Sequence, residues 1–526
     1  MIFRSSDPAP SVPSLSLSDF VMGQFQTYGD KPAVVEGPTG RTLTYTQLAV
    51  GVRCMAAGLA KRGMKKGDVF AILLPNVPEY AIAFLGVAAA GGVATTMNPL
   101  MTAEEIRHQL RDAGAQWLLT FAPLAPRACE ASQGTAVREV FSLADAPGTT
   151  PFDALLLEDV PIPKVRIDPT EDLLALPYSS GTSGLPKAVM LTHRNVVAQL
   201  CQADTVITGD REGSVAAVAP FFHILGLVLV LLAWLKQGST IVALPRFDLE
   251  HFLDCVQKYR IKYVSLVPPI VLALAKHPLI DRYDVSSLEW VMCGAAPLGG
   301  EIEQACADRL GCRVGQGWGM TELSGAGCTV RLSDAQHVRR GSCGQLWPGV
   351  EARIIDLVTG AELDSEQTGE LLVRGPNVMK GYLNRPDANA VTLFPDGWMR
   401  TGDIAYFDAE GYLYVVDRTK ELIKYNAYQI APAELEAVLV SHPAVAEAAV
   451  IPSPDVEHGE VPKAFVVLKT PATPEELMEF VAGRVASYKK VRKLVIVDAI
   501  PKSPAGKLLR RILVEQDRAG ADLSLR

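Results

Sequence analysis

The stretch 178–187 reads YSSGTSGLPK. Ser179, Ser180, Gly181, Thr182, Ser183 and Gly184 form an unbroken run of Ser, Thr and Gly, and Lys187 follows three positions later. Small residues let the backbone fold tightly enough to turn several N–H groups toward one point. Hydroxyls add donors, and the lysine adds a full positive charge. Apolar runs at 173–176 and 188–191 flank the loop, so it reads as a concavity between two strands, suited to a polyphosphate. It is not a Walker loop, which requires Gly-x4-Gly-Lys-Ser/Thr. Leu185 and Pro186 separate Gly184 from Lys187, and Ala188 stands where a magnesium-binding hydroxyl would be. Composition alone also fits a plain surface loop, so partners downstream must decide.

Four further motifs follow: 315–322 (GQGWGMTE), 401–403 (TGD), 417–429 (DRTKELIKYNAYQ) and 501–507 (PKSPAGK). With the loop they resemble the acyl-adenylate-forming superfamily, most closely its 4-coumarate- and cinnamate-CoA ligase branch. The resemblance covers nearly the whole chain, in the family's order. It implies an ATP-dependent carboxylate-CoA ligase. A carboxylate is a poor electrophile with no good leaving group. Joining it to AMP with loss of pyrophosphate, then passing the acyl group to coenzyme A with loss of AMP, solves both problems. Such an enzyme must bring two anions together and stabilise charge developing on the α-phosphate.

The roles that follow are those the resemblance implies. The loop 179–184 and Lys187 would hold the β- and γ-phosphates. Glu322 would bind Mg2+, a hard cation that favours carboxylate oxygen, and Thr321 would meet the α-phosphate. Trp318, between Gly317 and Gly319, stands where the family usually has a tyrosine stacked on adenine. Asp403 and Arg418 would bind ribose. His223 follows two phenylalanines and on spacing alone reads as a core histidine; the resemblance places it between the carboxylate and the pantetheine entrance. Lys507 would reach in from the C-terminal domain to touch carboxylate and α-phosphate. Lys424 and Gln429 match positions near the phosphates and the thioester site, and Lys420 takes the hinge position. Ala427 replaces a usual glycine where pantetheine would pass.

Phe222, His223, Leu225, Gly294, Ala295, Ala296, Gly317 and Gly325 are expected to line the acyl pocket, a flat apolar slot. Hydroxycinnamate ligases commonly carry tyrosine where this chain has Leu225. Without that phenol a ring hydroxyl is left unpaired, at a cost of roughly 1–3 kcal/mol. The expected substrate is therefore an aryl carboxylate of the cinnamate, benzoate or anthranilate type. A medium-chain fatty acid and a carrier protein are the alternative substrate and acceptor.

These residues need a scaffold. A chain of 526 residues exceeds one hydrophobic core. Helical spacing at 44–59, 79–90 and from Ala103 to near Arg111 alternates with buried strands at 69–74 and 116–120. Such alternation predicts an α/β fold, with parallel sheets flanked by helices. Short strands at 352–355 and 370–374 predict a small antiparallel or barrel-like unit. A helix at 433–439, strands at 446–451 and 463–469 and a helix at 474–485 predict a small α+β C-terminal domain. The expected domains are 1–417, adenylate-forming, and 418–526, mobile, because two half-reactions in one cleft require a large rotation.

Net charge of −8 argues against nucleic acid or anionic membrane as partner. The most apolar window, 225–235, is too short to span a bilayer and reads as a buried helix. Nine scattered cysteines without a CxxC pair read as buried thiols in the cytoplasm. A monomer or homodimer is expected.

Overall fold

The computed structural model describes residues 1–157, 164–179, 186–207, 213–296, 298–331, 338–418, 421–425, 428–455, 458–485, 487–502 and 508–518. Two nine-stranded sheets form its centre. In the first, the buried strands Val69–Ile72, Val93–Thr96 and Ala115–Thr120 pair in parallel, with Val69–Ile72 in the middle. At one edge, Lys187–Thr192 runs antiparallel to both Leu173–Ala175 and Tyr178–Ser179. In the second sheet, Thr240–Ala243, Ser214–Ala217, Ile261–Leu266, Trp290–Cys293 and Arg313–Met320 are parallel neighbours. Antiparallel strands close both of its ends, Thr42–Thr44 at one and Gly325–Thr329 with Gln345–Leu346 at the other.

Alternation along each strand sorts its side chains between two cores. Val215, Tyr263 and Trp290 face the large core between the sheets. Their neighbours Ala216, Val264 and Val291 pack beneath the outer helices, which include Leu249–Tyr259 and Gly300–Leu310. The helix expected at 44–59 is Tyr45–Lys61. Its start is a reciprocal cap: the Gln47 N–H donates to Thr44 Oγ1 at 3.2 Å, and the Thr44 N–H donates to Gln47 Oε1 at 2.9 Å.

The apolar window 225–235 is buried but is not one α-helix. Leu225–Leu232 winds as a π-helix, and Ala233–Gln237 continues as α. Gly226 lies so close to the preceding turn that a β-carbon would stand 2.1 Å from the Pro220 carbonyl oxygen. π turns are uncommon and concentrate at functional sites, and this one begins two residues after His223.

The antiparallel unit is a six-stranded sheet ordered Phe3–Arg4, Glu351–Ile355, Gly369–Arg374, Met399–Phe407 and Leu413–Arg418, with Glu362–Leu363 paired to Glu351–Ile355. Its N-terminal strand is too short to leave a periodic signal. The C-terminal domain builds a five-stranded sheet on the long hairpin of Val445–Asp455 and Gly459–Leu468, with its own core around Leu435, Val450 and Val466. Among the described residues no helix is long and apolar enough to cross a membrane.

His193 ties the N-terminal segment to this frame. It is 1 % exposed, and its Nδ1 accepts the Leu17 N–H at 3.0 Å. Burial pulls its pKa down to about 4, against the opposing pull of Asp172 and Asp19. Below the unfolded value of about 6.5, the unfolded chain takes up a proton that the folded chain refuses. Stability is thus lost as pH falls from about 6.5 to about 4, by roughly 3 kcal/mol from this group. Thermal unfolding of wild type and His193→Gln across that window measures it. The variant should show a flatter decline, and equal slopes would remove His193 as the cause.

Candidate functional site

Ser179 and Lys187 stand directly opposite each other in an antiparallel pair, so the strands on either side of the Ser/Thr/Gly run are hydrogen-bonded to each other. Ser180, Gly181, Thr182, Ser183 and Gly184 themselves lie outside the described residues. The strand before the loop is anchored: Tyr178 donates its hydroxyl to Asp112 Oδ2 at 2.7 Å, and Arg385 holds the other Asp112 oxygen at 2.7 Å. Lys187 is buried, with its ammonium 4.5 Å from the centroid of the Tyr382 ring.

Tyr382, which nothing in the sequence marks, joins two parts of the site. Its strand, Gly381–Tyr382, pairs antiparallel with Lys187–Thr192. Its hydroxyl donates to Glu322 Oε1 at 2.8 Å, and the Ser179 hydroxyl donates to the same oxygen at 2.8 Å. Burial and the adjacent carboxylate push the Tyr382 pKa upward, which keeps the phenol a donor. Asn389 fixes the tyrosine backbone, accepting its N–H at 2.7 Å and donating to its carbonyl at 3.0 Å. Glu322 is 2 % exposed, and its Oε2 has no hydrogen-bond partner among the described residues.

Glu322 follows the strand Arg313–Met320, which turns back through Thr321–Leu323 into Gly325–Thr329. That return is tight. A β-carbon on Gly319 would stand 2.0 Å from the Gly325 carbonyl oxygen, so only glycine fits. Trp318 is buried against Gly327, where a β-carbon would come within 2.6 Å of the indole. Its Nε1–H donates to Asp403 Oδ2 at 2.8 Å. Arg418, opposite Asp403 in the ladder, pairs Nε with Oδ1 at 3.0 Å. The indole is therefore a hydrogen-bond donor as well as a flat face.

The remaining wall comes from the carboxyl ends of the parallel strands, the usual ligand side of such sheets. After Ser214–Ala217 the chain turns at Pro220, whose carbonyl accepts the His223 N–H at 3.0 Å. His223 Nδ1 accepts the Leu225 N–H over a long 3.4 Å. Phe222, His223, Leu225, Gly294, Ala295, Gly317, Trp318, Gly319, Thr321, Glu322, Gly325 and Arg418 open onto one cleft of about 1790 Å³. Ala296 does not line it, because the backbone turns away at Ala295, which adopts a left-handed φ of 70°.

The C-terminal domain closes one side, with Leu508, Leu509 and Arg510 lining the same cleft. Lys507, Lys420 and Ala427 lie outside the described residues. Lys424 and Gln429 pair directly across a hairpin, although their side chains lie outside what the structure describes. Asp417 joins the domains. Its Oδ2 accepts the Ala433 N–H at 3.0 Å at the start of the helix Pro432–Ser441, and its Oδ1 accepts the Arg418 N–H at 2.7 Å. Burial pushes its carboxyl up to about 6.

Replacing Trp318 by phenylalanine keeps the ring and removes the N–H, leaving Asp403 Oδ2 buried without its donor. Urea unfolding should show a loss of about 1–3 kcal/mol. A variant as stable as wild type would mean that the bond contributes nothing.

The chain has known relatives in both sequence and fold. The AMP-binding enzyme family matches residues 22–383, and the AMP-binding enzyme C-terminal domain matches 434–507. The chain is 41% identical to 4-coumarate–CoA ligase 2 of Petroselinum crispum, covering 98% of this chain and 96% of that one. It is 40% identical to the 4-coumarate–CoA ligase of Pinus taeda, covering 97% of each. Among solved structures, an anthranilate CoA ligase in complex with anthranoyl-AMP superposes with a TM-score of 0.88 at 25% identity, covering 97% of this chain and 98% of that one. With both parts matched and a relative of this identity along nearly its whole length, the chain belongs to the AMP-binding enzyme family.

Proposed function

We propose that this protein is an ATP-dependent aryl carboxylate-CoA ligase. It joins the acid to AMP with release of pyrophosphate, then transfers the acyl group to coenzyme A with release of AMP. The observation that carries this reading is the single cleft onto which Ser179, Lys187, Glu322, His223, Arg418 and Leu508–Arg510 all open. The likeness to 4-coumarate–CoA ligases and to an anthranilate CoA ligase supports the aryl substrate. A panel of carboxylic acids supplied with ATP, magnesium and CoA, read by mass spectrometry, tests it. An aryl-CoA thioester and AMP are expected, and ADP or no thioester would contradict it.

In this reading Ser179 and Lys187 hold the triphosphate, and the Tyr382 ring covers Lys187 and keeps its charge on the inner side. The ribose role rests on Asp403 through the resemblance: its neighbours Thr401 and Gly402 open onto the cleft, while Asp403 itself is 3 % exposed with its oxygens on Trp318 and Arg418. Gly317 and Gly319 let their strand lie flush against Thr329 and Gly325, with the indole between them opening onto the cleft, and Thr321 meets the α-phosphate. His223 stands at the acyl end, its ring oriented by the Leu225 N–H. Glu322 fits a hard cation: one oxygen takes two hydroxyl donors and the other takes none among the described residues. No group of three or more His, Cys, Asp or Glu among the described residues could hold a metal. One carboxylate completed by phosphate oxygens and water is the arrangement Mg2+ favours. When bound, Mg2+ supplies charge neutralisation on the phosphates.

The second half-reaction needs a different face of the C-terminal domain, 418–526, with Lys420 as hinge and Lys424 and Gln429 brought toward the cleft. The Asp417–Ala433 contact beside the hinge would break and re-form. Nine free cysteines, most of them buried and several held well above the ordinary thiol pKa by burial, support a reducing compartment, the cytoplasm.

Two variants separate the roles. Lys507→Ala should lose adenylation by on the order of 3–4 kcal/mol yet still convert supplied acyl-AMP and CoA to thioester. Near-native ATP–pyrophosphate exchange would overturn the assignment. Tyr382→Phe keeps the ring over Lys187 and removes the donor to Glu322, so the magnesium concentration for half-maximal exchange should rise roughly tenfold. An unchanged magnesium dependence would place Glu322 away from the cation.

A further inference from the structure

The cleft does not end at the residues expected to hold the acyl group. Past Leu225, Gly294 and Gly317 the same cavity continues along the inner face of the second sheet, lined by Val206, Ile207, Val215, Trp234, Tyr263 and Trp290. Three of these sit on neighbouring strands: Val215 is paired with Tyr263, and Tyr263 with Trp290. Trp234 stacks on Tyr263 with centroids 4.9 Å apart. Gly294 borders the cavity beside Leu225 and Gly317. A β-carbon there would stand 3.8 Å from the Gly317 carbonyl oxygen and 3.9 Å from Leu225 Cδ2, ordinary contact distances.

The chamber carries no charge among these residues. The Tyr263 hydroxyl donates to Glu289 at 3.2 Å, and Trp290 Nε1 is buried without a hydrogen-bond partner among the described residues. Its depth follows from the strand. Gly294 to Trp290 is four residues, roughly 13 Å at about 3.3 Å per residue. A cinnamoyl group, with six carbon–carbon bonds from its carboxyl carbon to its para carbon, reaches no more than roughly 8 Å. A single phenylpropanoid ring therefore leaves the far end empty, and a water-filled apolar void beside buried tryptophans is unfavourable.

We infer that the preferred substrate is an aryl carboxylic acid with an apolar tail of about four to six carbons beyond its ring, the tail lying between Leu229 and the Val215–Tyr263–Trp290 wall. This rests on the ligase reading above and specifies its acid. Each methylene taken from water into the chamber adds to transition-state binding severalfold until the chamber is full. A charged ring substituent meets no counter-charge among these residues and is selected against.

Cinnamate, 4-methylcinnamate, 4-pentylcinnamate and 4-carboxycinnamate compared by ATP–pyrophosphate exchange test it. Wild type should give a kcat/KM for 4-pentylcinnamate at least tenfold above that for cinnamate, and little exchange with the 4-carboxy acid. Ile207→Trp puts an indole into the chamber from its lining and should lower the pentyl-to-unsubstituted kcat/KM ratio at least tenfold. Val215→Leu, a smaller intrusion, should lower it less. Exchange with cinnamate reports whether each variant folds. If cinnamate exchanges and the pentyl acid does not, or if Ile207→Trp leaves the ratio unchanged, the chamber holds no tail. If no acid exchanges in wild type, the ligase reading fails and the tail with it.

Discussion

Two buried carboxylates tie the three N-terminal sheets together. Glu322, on the return of the second sheet, accepts hydroxyls from Ser179 and Tyr382, both on strands of the first. Asp403, on the antiparallel sheet, accepts the indole N–H of Trp318 from the second and the guanidinium of Arg418 from its own. An ionised carboxylate is expensive to bury unless donors surround it. Each of these therefore fixes the spacing of the strands that supply its donors. The same two carboxylates are the groups proposed to meet magnesium and ribose, so scaffold and site share side chains.

Around these ties, the fold delivers each group by a local device. The antiparallel pair Ser179–Lys187 opens toward Glu322 because Tyr178 is pinned to Asp112. The tight return at Gly319 puts Thr321 and Glu322 at the cleft floor. The π turn after His223 widens the backbone where the acyl wall begins. Across the cleft, Asp417 caps the first helix of the C-terminal domain. Arg510 joins Glu421 and Glu436, with 2.6 Å to Glu436 Oε2. Of these bonds, that of Asp417 crosses the expected boundary at 417/418, where Ile404, Leu357 and Val416 also pack against Leu422 and Ala431.

Much of this is legible in the amino-acid sequence. Helix 45–61 announces itself through Thr44 and Gln47, and the buried strands through unbroken apolar runs, because both signals are local. Residues from four of the five motifs line the cleft, among them Ser179, Trp318, Gly402 and Arg418, while 503–507 of the fifth lie outside the described residues. The parts that stay hidden depend on neighbours distant in the chain. Tyr382 reads as an ordinary strand aromatic until Glu322, 60 residues away, receives its hydroxyl. Trp318 reads only as a flat face, since the Asp403 partner is 85 residues on. The 225–235 window predicts a buried helix, but hydropathy carries no information on π against α winding. Ala296 shares its composition with Ala295 and so reads as part of the same wall, whereas the left-handed turn at Ala295 takes it off. The distal chamber is drawn from helix ends and separate strands, so no window of sequence contains it.

The central claim is that the carboxylate oxygen attacks the α-phosphate of ATP. Incubating the enzyme with an aryl acid labelled with 18O in its carboxylate, ATP, magnesium and CoA, and weighing the AMP by mass spectrometry, tests this directly. An acyl-adenylate intermediate must leave one 18O in AMP and none in pyrophosphate. Label in inorganic phosphate with ADP as co-product, or AMP free of label, would contradict it.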